Sequence, residues 1–374
     1  MIRSTVARVD LGALTSNYRH IAEALRRETE GGAVPGIIAV VKANAYGHGA
    51  VQVARALEDA GADLVACADI EEGAALRAAG VRAEILVFGA LSVSDLDGLF
   101  DGHLTPTIST PGAARAVQAA AARYRQRIRY HLKIDTGMNR LGFRFDNLRR
   151  TLPELLSSDH LELEAVYTHF ATADDPGSPL FDEQRRRFDR ALDDIAALGG
   201  RPRYRHAANS AALLRDARAW LDHVRPGLLL YGAVPPPLAS TVELSPAMAL
   251  VSKVVAVKGL RVSDITGYGA RFTAERPTTV AIVGAGYADG LDLRMAGRSD
   301  VLIRGRRARI VGSVCMDMLM ADVTGTDVSP GDDVVIIGAQ GDQRVDVREV
   351  AATIGSSPWE ILCRIGSRVE RVYR

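Results

Sequence analysis

Eight short apolar runs recur through the first 235 residues, near 37–42, 64–68, 84–88, 104–108, 128–134, 162–169, 203–208 and 224–231. Between them lie segments in which apolar residues return at helical spacing, among them 51–59, 71–79, 112–123, 180–198 and 211–217. An earlier helix over Leu14–Leu25 places Leu14, Tyr18, Ile21 and Leu25 on one face. Apolar strands alternating with helices pair in parallel, because each must return by a crossover before the next can add to the sheet. Eight such units fit a closed (β/α)8 TIM barrel of the α/β class better than an open, doubly wound sheet, which is the alternative.

The run Pro235-Pro236-Pro237 ends the alternation, and the chain changes character after it. Segments 251–257, 279–284, 301–304, 308–311 and 333–337 are short β-type runs punctuated by Gly, Pro and Asp, which predicts a mostly-β C-terminal domain. The strand-like Thr5–Val9 precedes the barrel, close enough in sequence to pair with it, and is grouped with the second domain. The expected division is a barrel over 10–237 and a β-rich unit of 1–9 plus 238–374. With 47% hydrophobic and 24% charged residues, the chain has enough apolar side chains for two cores. Its 46 Lys and Arg balance 45 Asp and Glu, so charge gives no reason to expect nucleic acid or a membrane surface as partner. Three widely separated cysteines, Cys67, Cys315 and Cys363, suit neither a disulfide framework nor a metal site. The N-terminus lacks a signal-like apolar core and no run is long enough to span a membrane, which together predict a cytoplasmic protein.

In such a barrel the C-terminal ends of the strands converge on one rim, where sites form. The side chains expected there are reactive. Lys42 follows the apolar Ile37, Ile38, Val40 and Val41 and is read as the end of the first strand. Partial desolvation would lower its pKa and leave an amine able to form a Schiff base. Tyr46 lies just beyond it. Lys133 is on the fifth strand with Arg140 in the loop after it, His169 ends the sixth, Asn209 and Ser210 the seventh, and Arg225 and Gly227 belong to the eighth. Ser210 also suits the N-cap of the next helix. Barrels of this kind often bind phosphate with the loops after strands seven and eight, where Ser210 and the amides of Gly227 and Leu228 lie. Phosphate there and an amine on the first strand describe a cofactor with both a phosphate and an aldehyde, pyridoxal 5′-phosphate. A dinucleotide loop at Gly284-Ala285-Gly286 is discounted, since the next glycine, Gly290, is one place too far.

The segments Val41-Lys42-Ala43-Asn44-Ala45-Tyr46-Gly47-His48-Gly49, Leu132-Lys133-Ile134-Asp135-Thr136-Gly137-Met138-Asn139-Arg140-Leu141-Gly142, His206-Ala207-Ala208-Asn209-Ser210, Arg225-Pro226-Gly227, Gly286-Tyr287-Ala288-Asp289-Gly290 and Cys315-Met316-Asp317 together resemble the alanine racemases. The resemblance implies that Lys42 carries pyridoxal phosphate through its amine, that Tyr46, Ser210, Gly227 and Leu228 hold the phosphate, and that Arg225 faces the pyridine nitrogen. A guanidinium keeps its proton, so the ring nitrogen would stay unprotonated and draw electrons less strongly, favouring return of a proton to Cα over transamination. His169 and His206 would orient the arginine.

Racemisation takes a proton from one face of Cα and returns one to the other, which two acid–base groups do most directly. By resemblance these are Lys42 and Tyr268, the latter from the β domain of a partner subunit in a homodimer with shared sites. A tyrosine acting near neutrality needs its pKa of about 10 lowered. The resemblance also implies that Arg140 and the Met316 backbone hold the substrate carboxylate, that Tyr287 and Asp317 narrow the approach, that Lys133 is carbamylated, as in many of the family, and that D-alanine is supplied for peptidoglycan. Gly267 stands where a serine is common, and Ser367 where some members place a phosphate-touching tyrosine, a role that does not transfer. A racemase for serine or a larger amino acid, a decarboxylase of related architecture and a non-catalytic pyridoxal phosphate carrier are the alternatives.

Overall fold

The protein, a computed structural model, is described over residues 4–29, 31–91 and 95–374; residues 1–3 of the expected N-terminal segment lie outside the described residues. Eight parallel strands close into a barrel, in chain order Gly36–Val40, Leu64–Cys67, Glu84–Val87, Thr105–Ile108, Ile128–Asp135, Leu161–Tyr167, Tyr204–Asn209 and His223–Arg225. The ring is sealed where the eighth strand pairs with the first through Val224 and Ile37. These strands are buried almost end to end, which is why they read as unbroken apolar runs.

Several helices start where the sequence supplies a cap. Asp10 accepts from the Ala13 amide to begin Leu11–Glu28, and Asp69 does the same for Ile70–Ala78 through Glu72. Thr110, followed by Pro111 at the first helical position, opens Pro111–Tyr124. Two apolar layers result. Ile37, Val65, Ile85 and Val117 belong to the larger one, while Ile38, Leu64, Leu86, Ala165 and Tyr204 form a separate cluster made by the alternate strand positions.

The last apolar run, expected over 224–231, divides in two. Its strand ends at Arg225, and Leu228–Tyr231 winds into a 3-10 turn after Gly227, so that backbone amides face the rim where a longer strand would have carried them past it.

The second unit is a nine-stranded sheet built mainly from antiparallel pairs around the long strand Met248–Leu260, with its own core that includes Val251, Val283, Leu302, Ile310 and Ile336. Val6–Val9 pairs within this sheet, antiparallel to Met248–Val251 and parallel to Glu370–Tyr373, and not with the barrel strands. Two helices, Val347–Ile354 and Pro358–Arg364, pack against it. No helix among the described residues is long and apolar enough to cross a membrane.

Candidate active site

Lys42 does not end the first strand. That strand stops at Val40, and Lys42 opens a turn in which Ala43, Asn44, Ala45 and Tyr46 have φ of 53°, 53°, 54° and 52°. Four consecutive non-glycine residues in the left-handed region are strained by about 1–2 kcal/mol each, and the surrounding bonds show what holds them. Glu72 accepts from the amides of Ala43 at 2.7 Å and Ala68 at 2.8 Å, and the Asn44 side chain accepts from the Ala50 amide at 2.8 Å. The turn reverses the chain abruptly, so that Lys42 and Tyr46 both stay at the rim. Burial, followed by the positive charge of Arg140, lowers the Lys42 pKa.

Lys133 and Arg225 rise from inside the barrel over the ring of Tyr167, with the Lys133 amine 5.6 Å and the Arg225 guanidinium 5.3 Å from its centre. Arg225 is 3% exposed and firmly held. It donates to the carbonyls of Thr168 and Ala207 at 2.8 and 2.9 Å, to His206 Nδ1 at 2.8 Å and, more loosely, to His169 Nδ1 at 3.4 Å. Burial and the guanidinium push both histidines well below the ordinary imidazole pKa, so they are neutral and able to accept. Burial also pulls Arg225 down to about 10, which leaves it charged at neutral pH. Lys133 falls to about 8 through burial and then the charges of Arg140, Arg225 and Lys42.

The end of the seventh strand assigns its two polar residues differently from expectation. Asn209, not Ser210, caps the helix Ser210–Arg215, accepting from the Ala212 amide at 2.9 Å. That frees the Ser210 hydroxyl, which accepts from the Gly227 amide at 2.9 Å and lies 3.5 Å from that of Leu229. A Cβ on Gly227 would sit 2.4 Å from the Tyr46 hydroxyl, so only glycine lets the two loops close here. The Tyr46 ring packs 4.9 Å from that of Tyr231. Two hydroxyls and the amides that begin the Leu228 turn therefore converge beside a buried guanidinium and two lysines. This donor set suits a phosphate together with an aromatic nitrogen that accepts a hydrogen bond, as pyridoxal phosphate presents. Among the described residues, no three His, Cys, Asp or Glu are grouped so as to hold a metal ion.

The remaining expected residues lie on the β domain. Tyr268 is 79% exposed between two short strands, Ile265–Thr266 and Phe272–Thr273, and its carbonyl accepts from the Ser313 hydroxyl at 2.6 Å. Gly267 has φ +78°, and a Cβ there would meet the Ser313 amide at 2.7 Å, so a serine in its place would need a different local backbone. Tyr287 and Met316 are 42% and 52% exposed and joined by backbone bonds between 287 and 315 and between 288 and 316. Arg368, which the sequence did not single out, ties this face together, bonding both oxygens of Asp289, one of Asp317 and the Met316 carbonyl. Among the described residues, no hydrogen bond or ring contact joins Tyr268 to Lys42 or Arg225. Glu72 was also missed. It stands on the second helix after Lys42, and nothing in its local pattern points back to the turn.

Residues 9–235 match the family model for the alanine racemase N-terminal domain, and residues 247–373 the model for the alanine racemase C-terminal domain. Curated proteins named alanine racemase from Symbiobacterium thermophilum and Carboxydothermus hydrogenoformans are each 41% identical, spanning all of this chain and 97% and 100% of their own lengths. Among solved structures, an alanine racemase from a D-cycloserine-producing Streptomyces lavendulae superposes with a TM-score of 0.94 at 33% identity, covering all of this chain and 98% of that one. An alanine racemase from Bacillus anthracis with bound L-Ala-P gives 0.91 at 34%, covering all of this chain and 96% of the other.

Proposed function

This chain belongs to the alanine racemase family, enzymes that depend on pyridoxal phosphate to interconvert L- and D-alanine, and from that premise we propose that Lys42 and Tyr268 are its two acid–base groups. The observation that carries the assignment is the contrast between them: an amine half-buried among cations on the barrel rim, and a phenol left 79% exposed on the other domain of the same chain. A phenol that must reach a site it does not touch within its own chain is best supplied by a second copy, and the exposed Tyr268, Tyr287 and Met316 share the domain that would cover that copy's rim. The functional unit is then a homodimer with shared sites.

Pyridoxal phosphate, when bound, supplies an aldehyde for the amine and a conjugated ring that withdraws electrons from Cα. The chain does the rest. Ser210, Gly227, Leu228 and the Tyr46 hydroxyl would hold the phosphate, with Asn209 fixing the helix from which Ser210 projects. Arg225, a donor only, would face the ring nitrogen and keep a proton off it, with His206 and His169 fixing its aim. Arg140 and the Met316 backbone would hold the substrate carboxylate, while Tyr287 and Asp317 narrow the approach. Lys42 Nζ takes the proton from one face of Cα as Tyr268 Oη delivers another to the opposite face, and the reverse reaction exchanges their roles.

Lys133 suits carbamylation. An amine with a pKa of about 8 keeps roughly a tenth to a fifth of its population neutral near physiological pH, and the lone pair of that fraction can attack the carbon of CO2. One C=O π pair moves to oxygen and a nitrogen-bound proton departs, leaving a carbamate anion that would pair with Arg140. The D-alanine formed would supply peptidoglycan precursors in the cytoplasm. The deciding assay incubates the purified protein with L-alanine, L-serine and L-lysine separately and measures the D-enantiomers. D-alanine formed much the fastest is expected, and no D-product from any of them would overturn the reading.

A further inference from the structure

Glu164 is a buried carboxylate with no part in the chemistry above. It lies on the sixth barrel strand at 3% exposure, and its Oε1 accepts from Arg129 at 2.6 Å. Its Oε2 is buried without a hydrogen bond, 3.5 Å from His131 Nε2. His131, fully buried on the fifth strand, brings Nδ1 to 3.1 Å from His206 Nε2, and His206 Nδ1 is the atom that Arg225 meets at 2.8 Å. A continuous line thus runs from Arg225 through two imidazoles to a carboxylate.

Donor and acceptor requirements fix every proton along this line. A guanidinium offers only donors, so His206 Nδ1 must be bare and its proton must sit on Nε2. That N–H points at His131 Nδ1, which must therefore also be bare, and the His131 proton is driven to Nε2. There it faces Glu164 Oε2 and the Tyr204 hydroxyl, 2.9 Å away. The hydroxyl cannot enforce this order, because it donates as readily as it accepts. With the opposite order, Tyr204 would donate to His131, His131 would donate to His206, and His206 Nδ1–H would confront the Arg225 donors head to head. Arg225 disfavours that arrangement from one end, and Glu164, an acceptor-only group at the other end, disfavours it again, because a bare His131 Nε2 would face its carboxylate.

We propose that Glu164 is a positioning residue for Arg225, acting through His131 and His206 to fix the proton on each imidazole and so keep the guanidinium aimed as a donor at the cofactor's ring nitrogen. The inference rests on the role given to Arg225 above, but its physical core is the pair of tautomers, which can be read without any assay. Neutron diffraction from holoenzyme crystals should show hydrogen on His206 Nε2 and His131 Nε2, and hydrogen on His131 Nδ1 would overturn the proposal. Glu164→Gln keeps the shape and removes the charge. In that variant the nitrogen-15 signals of His131 and His206 in the holoenzyme should move, the visible band of the bound cofactor should shift, and kcat should fall on the order of tenfold with KM for alanine within about twofold.

Glu84→Gln, which loses only an outer partner of Arg129, should leave the imidazole signals and kcat as they are. Loss of kcat with unmoved imidazole signals would make Glu164 a packing residue and overturn the proposal, as would a Glu164→Gln enzyme identical to the parent. If Glu164→Gln fails to fold, the neutron map of the parent still decides. If the stated tautomers are found in a protein that racemises nothing, the proposed function fails and the proton order stands.

Discussion

At the scale of single residues, the rim is an accumulation of positive charge that the fold accepts at a cost, and Lys133 shows how large that cost is. Its pKa falls from 10.5 in an ordinary lysine to about 8 in the folded chain. The folded chain therefore gives up this proton first on raising pH. Between the two values the unfolded chain holds more protons, so stability rises with pH across roughly 8 to 10.5, by about 3 kcal/mol for this group. Below pH 8 the full penalty is present. Lys133→Met should accordingly be more stable than the parent at pH 7 in carbonate-free buffer, with the advantage disappearing by pH 10.5. Urea unfolding at the two pH values measures it, and equal parent–variant differences at both would refute it. Which residues carry charge or hydroxyls near the rim was legible in the sequence, because Lys42, Tyr46, Arg140, Ser210 and Arg225 are the chemistry-bearing types at strand ends or in the loops just after them. Their supports were not. Glu72, Glu164 and Arg368 act across distant parts of the chain, where no local pattern advertises a contact.

Elements explain why the amine is presented as it is. The apolar runs located every barrel strand, since burial on both faces writes strand position into the sequence, although the first and last strands end before their runs do. The long strand Met248–Leu260 and the helices Val347–Ile354 and Pro358–Arg364 were harder to see, because much of that strand is exposed and the helices are short. The left-handed turn at 43–46 was illegible for a different reason. Alanine and asparagine say nothing of positive φ, which tertiary bonds to Glu72 impose. At Ala43, an exposed position in this turn, glycine would relieve the strain without opening a cavity. Ala43→Gly should raise stability by about 1 kcal/mol while lowering kcat, because the residue after Lys42 becomes free to leave the turn. Denaturant midpoints and steady-state kinetics test both halves, and a variant that is stabilised with undiminished kcat would show that the turn's strain has no bearing on the amine.

For the whole molecule, the question is whether a site is built by one chain or two. Lys42→Ala and Tyr268→Phe should each be inactive, yet unfolded and refolded together they should recover roughly a quarter of the parent activity. Half the dimers formed at random are mixed, and each of those has one of its two sites intact. If both groups came from the same chain, no mixture would regain activity, so the experiment separates the two architectures cleanly. The nine-stranded sheet of the domain that carries Tyr268 has its own assembly history. Val6–Val9 pairs with Met248–Val251 and with Glu370–Tyr373, so a strand made early must wait for partners made much later in the chain. At a translation rate of roughly 5–20 residues per second, the wait before Met248 emerges is on the order of ten seconds or more. Throughout that interval Val6, Ala7 and Val9 are an apolar segment without the strands that cover it in the folded chain, the kind of segment that seeds association. The edges of Val6–Val9 are covered only after Met248–Val251 and Glu370–Tyr373 have been made, so the sheet of the domain that carries Tyr268 is completed late.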